Sequence, residues 1–246
     1  MNFVPKFYKD RVVLNVLAGG LDNARALYDM TEGHVLLALL SKNYADDQSA
    51  LVDMRAYQEA VNNAISIGLG AGDPNQSQMV SRLAAVLQPQ HVNQVFTGAG
   101  HARMAVGSSR SFINALCSPT GKVGYLNIAT GPLSRRQPIT QVPVETVITL
   151  LKDMGADSLK FFNMRGLDYL DEYQAIAKAC ADMDFALEPT GGLDLANFEQ
   201  ILTVALEAGV KKIIPHVFGG IVDSATGETR IGDVKQLHQI VQRLVD

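Results

Sequence analysis

A chain of 246 residues with formal charge −4, 47% hydrophobic and 19% charged residues, has an ordinary globular composition with apolar material for one large core. The mild negative balance without a basic stripe argues against a nucleic-acid partner, no apolar run reaches the roughly 18 residues of a membrane helix, and the polar, mixed-charge residues 1–11 are no secretory signal. Cys117 and Cys180 are too few for a disulfide framework or a zinc cage; they read as small buried apolar residues of a reducing compartment, so the cytoplasm is the expected location.

Apolar runs of strand length alternate with amphipathic stretches along the whole chain. In chain order they predict strands over residues 12–17, 35–40, 66–69, 92–97, 123–129, 158–162, 185–188 and 212–217. The helices between and after them are predicted over 22–30, 46–65, 76–87, 102–116, 144–154, 169–183, 195–208 and 234–245. Asp194 ahead of Asn197 and Phe198 reads as an N-cap, Pro143 suits a first helical turn, and Gly155 and Gly209 suit helix ends. Eight βα units in this length are the signature of a closed (β/α)8 TIM barrel forming a single domain over 1–246. A doubly wound sheet competes, but no GxGxxG turn follows the first strand.

The chemistry of such a barrel lies at the C-terminal ends of its strands. Most of those ends carry glycine, among them Gly19-Gly20, Gly70-Ala71-Gly72, Gly191-Gly192 and Gly219-Gly220. Glycine permits close backbone approach to a ligand, although turn geometry alone also favours it. Gly191, Gly192, Gly219 and Gly220 end the last two strands, where barrels often hold a phosphate, and are the expected phosphate-binding residues.

The sixth predicted strand holds Lys160 between Leu159 and Phe161-Phe162. A lysine in such a run either snorkels its head to water or has a task. Burial disfavours the ammonium and makes the amine a nucleophile towards carbonyl carbon. To be mostly neutral near pH 7 its pKa must fall by about 3 from about 10.4, roughly 4 kcal/mol. Strand alternation turns Ser158 and Phe162 the same way as Lys160, and Glu188 the same way as Thr190. Glu188 is the first candidate for a proton shuttle, with a structural ion pair to Lys160 or Lys42 as the alternative. Asp73 binds hydroxyls or caps the helix at Gln76. His216 titrates usefully or is a satisfied core residue. Thr130 and Thr190 are candidate donors to a carboxylate or phosphate. The long segment 131–141, with Arg135 and Arg136, is a lid, a subunit contact or a solvated loop. His34, His91, His101, His216 and His238 show no HxH or HExxH spacing, so no metal and no cofactor are expected.

These residues resemble a known family. Leu159-Lys160-Phe161-Phe162 and Glu188-Pro189-Thr190-Gly191-Gly192 resemble 2-keto-3-deoxy-6-phosphogluconate (KDPG) aldolases. Leu14-Asn15-Val16-Leu17-Ala18-Gly19, Leu40-Ser41-Lys42-Asn43-Tyr44, the stretches from Gly68 to Gln76 and from Gln90 to Gly98, and Ile214-Pro215-His216-Val217 resemble the D-glucosaminate-degradation branch of that family. The resemblance covers essentially the whole chain. It implies a barrel, a homo-oligomer, a small-molecule substrate and a Schiff-base reaction at Lys160 that yields pyruvate. It also implies that Lys42 receives the substrate carboxylate.

The departures bear on the site. Ordinary KDPG aldolases keep an acid/base glutamate at the end of the second strand, where this chain has Leu40-Ser41-Lys42, so that role moves to Glu188, Asp73 or His216. Asn163-Met164-Arg165-Gly166 and Phe218-Gly219-Gly220 replace Pro-Met-Gly-Gly and Tyr-Ser-Ser of the branch. Hydroxyls are thereby absent near the expected phosphate and Arg165 is added, either as a bidentate contact or as a mark of another substrate. Two alternatives follow: an aldolase for an unphosphorylated 2-keto acid such as 4-hydroxy-2-oxoglutarate, and a non-catalytic sugar-acid-binding barrel.

Overall fold

The computed structural model describes residues 3–107 and 110–246. Its first half runs β1 (Leu14–Leu17), α1 (Leu21–Met30), β2 (Val35–Leu40), α2 (Asp47–Ala60), β3 (Ile65–Gly68), α3 (Ser77–Leu87), β4 (His91–Val95) and α4 (Ala99–Val106). The second half runs β5 (Phe112–Cys117), β6 (Tyr125–Leu126), β7 (Val142–Pro143), α5 (Val144–Asp153), β8 (Ser158–Phe161), α6 (Leu170–Asp182), β9 (Ala186–Pro189), α7 (Phe198–Glu207), β10 (His216–Val217) and α8 (Ile231–Val245). Eight strands pair in parallel in the order β10-β1-β2-β3-β4-β5-β8-β9. Parallel bridges Leu187–Ile213 and Thr190–His216 bring the two edges together. This is the (β/α)8 barrel expected from the alternation of elements.

The fifth strand is not where periodicity places it. The predicted helix 102–116 ends at Val106, before Gly107 (φ +60°), and Phe112–Cys117 is barrel strand β5; residues 108 and 109 lie outside the described residues, as do 1 and 2 of the N-terminal segment. The predicted strand 123–129 instead gives β6, which pairs antiparallel with β7 in an excursion over residues 118–143. In β5, Phe112, Asn114 and Leu116 turn inward. Asn114 at the centre breaks the apolar run that a barrel strand shows, which disguises it. The predicted helix 46–65 also stops early, at Ala60. Asn62 and Asn63 take left-handed φ of 47° and 67°, a conformation that asparagine tolerates, and β3 follows. Gly155 and Gly209 follow helix ends as read, with φ of +74° and +91°. The helix predicted over 195–208 starts later, at Phe198 with Asn197 as N-cap; Asp194 Oδ1 accepts from the N–H groups of Ala196 and Asn197 in the turn ahead of it.

The barrel interior is layered. Its floor is an apolar plug of Phe7, Val13, Leu36 and Ile214 with Phe112, whose ring centroid lies 5.9 Å from that of Phe7. Above it lies a buried polar layer: Asn15, Ser66, His91, Asn114, Ser158, Glu188 and His216. Lys160 and Asn93 stand above that, one alternation nearer the C-terminal mouth. Among the described residues no helix is long and apolar enough to cross a membrane, and Cys117 and Cys180 are free and buried.

Candidate active site

Parallel register sets the inward residues side by side: Leu116 pairs with Lys160, Lys160 with Glu188, Asn114 with Ser158, and Asn15 with His216. Lys160 is only 9% exposed and lines a cavity at the barrel mouth with Asn93, Ala38, Leu116, Phe162, Thr190 and Phe218. Its Nζ donates to Asn93 Oδ1 at 2.8 Å and lies 3.3 Å from His216 Nδ1. Burial lowers the amine's pKa from 10.5 to about 8, against the opposing pull of the Glu188 charge.

Glu188 sits one layer below with no exposed surface and does not line the cavity. Its Oε1 accepts from His91 Nε2 at 3.0 Å and from the Ser158 hydroxyl, its Oε2 from His216 Nε2 at 2.7 Å and Asn114 Nδ2 at 2.6 Å. Burial by itself raises a carboxyl, but the contacts with His91 and His216 outweigh it and hold Glu188 well below the usual range. His216 is pushed down to about 3, first by burial and then by the charge on Lys160. Neutral His216 therefore carries its hydrogen on Nε2, towards Glu188, and its lone pair on Nδ1, towards Lys160. His91 Nδ1 in turn lies 2.8 Å from Ser66 Oγ. The facing atoms of His91, Glu188 and His216 all lie within 4.8 Å of one another, the spacing of a metal-ligand trio. With both imidazole nitrogens donating to a carboxylate that accepts four hydrogen bonds, the trio is a proton-saturated network rather than a set of free lone pairs.

The other expected site residues fall into two groups. Thr190 and His216, with Gly191, Gly192, Gly219 and Gly220, line a second concavity that shares Phe162, Thr190 and Phe218 with the lysine cavity. Three of those glycines are required by packing. A Cβ on Gly191 would lie 2.1 Å from Asn163 Oδ1, one on Gly192 2.4 Å from Gly166 N, and one on Gly220 2.8 Å from Asp194 Cβ. Thr190 spends its hydroxyl on Glu188 O at 3.2 Å. The second group lies outside both cavities. Lys42 is exposed on the rim with its methylenes over Gly70, and Arg165 is exposed beside Gly192 with φ 51°. Asp73 caps the 3-10 turn Pro74–Gln76, accepting from Asn75 N at 3.1 Å. Thr130 lies in the excursion rather than at a barrel strand's end. Its hydroxyl pins that excursion to the rim, accepting from Phe96 N at 2.9 Å and donating to Leu116 O at 3.0 Å.

Sequence reading missed Asn93, Asn114, His91 and Ser66 as members of this site. The available signal was weak: His91 and Asn93 lie two apart on one face of β4, but Gln90 and Gln94 on the other face are polar too and blur the alternation.

Solved structures of similar fold show the barrel alone. TrpF from Jonesia denitrificans superposes with a TM-score of 0.56 at 11% identity, over 95% of this chain and 98% of that one. The carboxyl transferase domain from Rhizobium etli pyruvate carboxylase with pyruvate gives 0.54 at 15% identity over 96% of this chain; the chain spans about half of that protein, 47% of its length. Sequence similarity is far more specific. A protein of Salmonella typhimurium (strain 14028s / SGSC 2262) named 2-dehydro-3-deoxy-phosphogluconate aldolase is 42% identical over 243 residues, 97% of this chain and 98% of that one. The family model described as KDGP aldolase matches residues 8–225, so the chain belongs to the KDGP aldolase family.

Proposed function

We propose that this protein is a carbon–carbon lyase that cleaves 2-keto-3-deoxy-6-phosphogluconate to pyruvate and glyceraldehyde 3-phosphate through an imine on Lys160. The observation that carries the reading is the Lys160 amine, buried, with a lowered pKa, at the base of a cavity in the barrel mouth. The neutral amine adds to the C2 ketone, and loss of water gives an iminium. A base takes the C4 hydroxyl proton, the C3–C4 pair flows to the iminium nitrogen, and the aldehyde departs. The resulting enamine is protonated at C3 and hydrolysed, releasing pyruvate and the free amine.

In this reading Glu188 supports the reaction indirectly, by holding the hydrogen of His216 on Nε2, since it has no exposed atom of its own. Lys42 on the rim receives the carboxylate, Asp73 and Thr190 support the substrate's polar groups, and Thr130, its hydroxyl committed to Phe96 and Leu116, serves only to seat the excursion. The concavity of Gly191, Gly192, Gly219 and Gly220 takes the phosphate, with Arg165 at its edge. The protein acts on a small molecule in the cytoplasm as a homo-oligomer, and exposed Leu133 and Ile139 in the excursion suit a subunit contact.

One observation favours a second reading, an aldolase for an unphosphorylated 2-keto acid. Three of the four glycines are accounted for by packing, and the hydroxyl nearest them is already bonded. Borohydride reduction with pyruvate, followed by peptide mass analysis, tests the common core. A reduced pyruvate adduct on Lys160 is expected, and Lys160→Met removes both adduct and cleavage; an adduct elsewhere sinks the mechanism. Turnover of substrates with and without the phosphate then decides between the two readings.

A further inference from the structure

Resting on Lys160 as the imine-forming lysine, we propose that Asn93 and His216 are positioning residues that occupy both N–H groups of the neutral amine and so aim its lone pair into the cavity. A neutral primary amine has two N–H bonds and one lone pair, arranged about tetrahedrally around nitrogen. Nζ lies 2.8 Å from Asn93 Oδ1 and 3.3 Å from His216 Nδ1. With both hydrogens committed to those two atoms, the lone pair has only the cavity left to face.

Neither partner is free to become a donor. Asn93 Nδ2 donates to Ser66 Oγ at 2.9 Å and Ile67 O at 3.1 Å, while Asn114 Nδ2 donates into Asn93 Oδ1 at 2.8 Å. The amide orientation is therefore fixed from both of its ends. His216 Nε2 lies 2.7 Å from Glu188 Oε2, an oxygen of a carboxylate that also accepts from His91, Ser158 and Asn114. Its four acceptor positions are filled by four donors, so it takes no further proton and holds the imidazole hydrogen on Nε2. Glu188 thus acts on the reaction through the tautomer of His216, without touching the substrate. When the lone pair bonds to C2, the carbonyl π pair moves to oxygen; solvent water in the cavity gives that oxygen a proton and takes one nitrogen hydrogen in return. A second proton, from solvent hydronium, lets the oxygen depart as water, and the other nitrogen hydrogen stays on the iminium.

Glu188→Gln separates this role from a purely electrostatic one, because the two give opposite signs. Removing a negative charge near the amine lowers its pKa, so by charge alone trapping at pH 7 speeds up. A glutamine amide can instead donate to His216 Nε2. The ring hydrogen then moves to Nδ1, and the amine lone pair is drawn down to accept it. The experiment measures the rate of borohydride-trapped pyruvate adduct across pH for full-length variants, with thermal melts to establish folding. Glu188→Gln is expected to trap at least tenfold slower at every pH. Asn93→Leu is expected to slow trapping by a similar factor. Asn93→Asp keeps the acceptor and is expected to trap, with its rising limb displaced to higher pH by the added charge. If Glu188→Gln fails to fold, the two Asn93 variants carry the test. Trapping by Glu188→Gln at or above the wild-type rate at pH 7, or by Asn93→Leu at the wild-type rate, overturns the positioning role and leaves the imine standing. Absence of any Lys160 adduct in the wild-type protein overturns the imine itself.

Discussion

At Lys160 two electrostatic effects oppose each other, and burial wins. Burial disfavours the ammonium and the Glu188 charge favours it, and the outcome, about 8 against an ordinary 10.5, is worth about 3 kcal/mol. About a tenth of the amine is then neutral at pH 7 and half at pH 8. Adduct formation with pyruvate is expected to rise about fivefold between those pH values and to level off above about pH 9; a flat profile contradicts an amine tuned by burial. The same shift links to stability. Between about pH 8 and 10.5 the unfolded chain still holds a proton that the folded chain has released, so folding is favoured as pH rises through that window. This residue was legible in the sequence because a charge inside an apolar strand is a departure that asks for a reason. Asn93 and Asn114 were not. An amide in a strand carries no charge to betray burial, and its partners come from other strands, far away in the chain.

Elements were legible wherever hydrophobic period and end signals agreed, as for α1, α3, α5 and α8. The fifth strand failed because Phe112-Ile113-Asn114-Ala115-Leu116-Cys117 fits either period, and because the chain next leaves the barrel for an excursion with strand-like residues of its own. The turns after β9 and β10 show the same limit from the other side. Their glycines were read as ligand-facing, and three of the four prove necessary for packing against Asn163, Gly166 and Asp194. Gly191→Ala places a methyl 2.1 Å from Asn163 Oδ1 at a φ of +102°. Asn163 cannot turn aside freely, because that oxygen accepts from Arg165 N at 3.0 Å. The substitution is expected to cost about 1–3 kcal/mol, measured by urea unfolding; an unchanged midpoint shows that the turn gives way.

Over the whole molecule, chemistry and stability occupy different depths of one barrel. An apolar plug closes the floor, a hydrogen-bonded polar layer rests on it, and the amine meets the cavity above. That order follows from alternation repeated on eight strands. It becomes visible only when the strands lie in register, which no single stretch of sequence encodes. Residues 118–143 stand apart from it, since none of them belongs to a barrel strand. Their base is riveted down at two places: Thr130 bridges Phe96 and Leu116, and buried Glu172 accepts from the N–H groups of Thr120 and Gly121 at 2.9 and 3.0 Å. Arg135 and Arg136 are exposed between those rivets and α5. A single tryptic nick after either arginine should therefore yield two fragments that co-elute under native conditions, separate only in denaturant, and still take up pyruvate on borohydride reduction. Fragments that fall apart in buffer would mean that the protruding arm, and not the ring beneath it, keeps the two halves of the chain together.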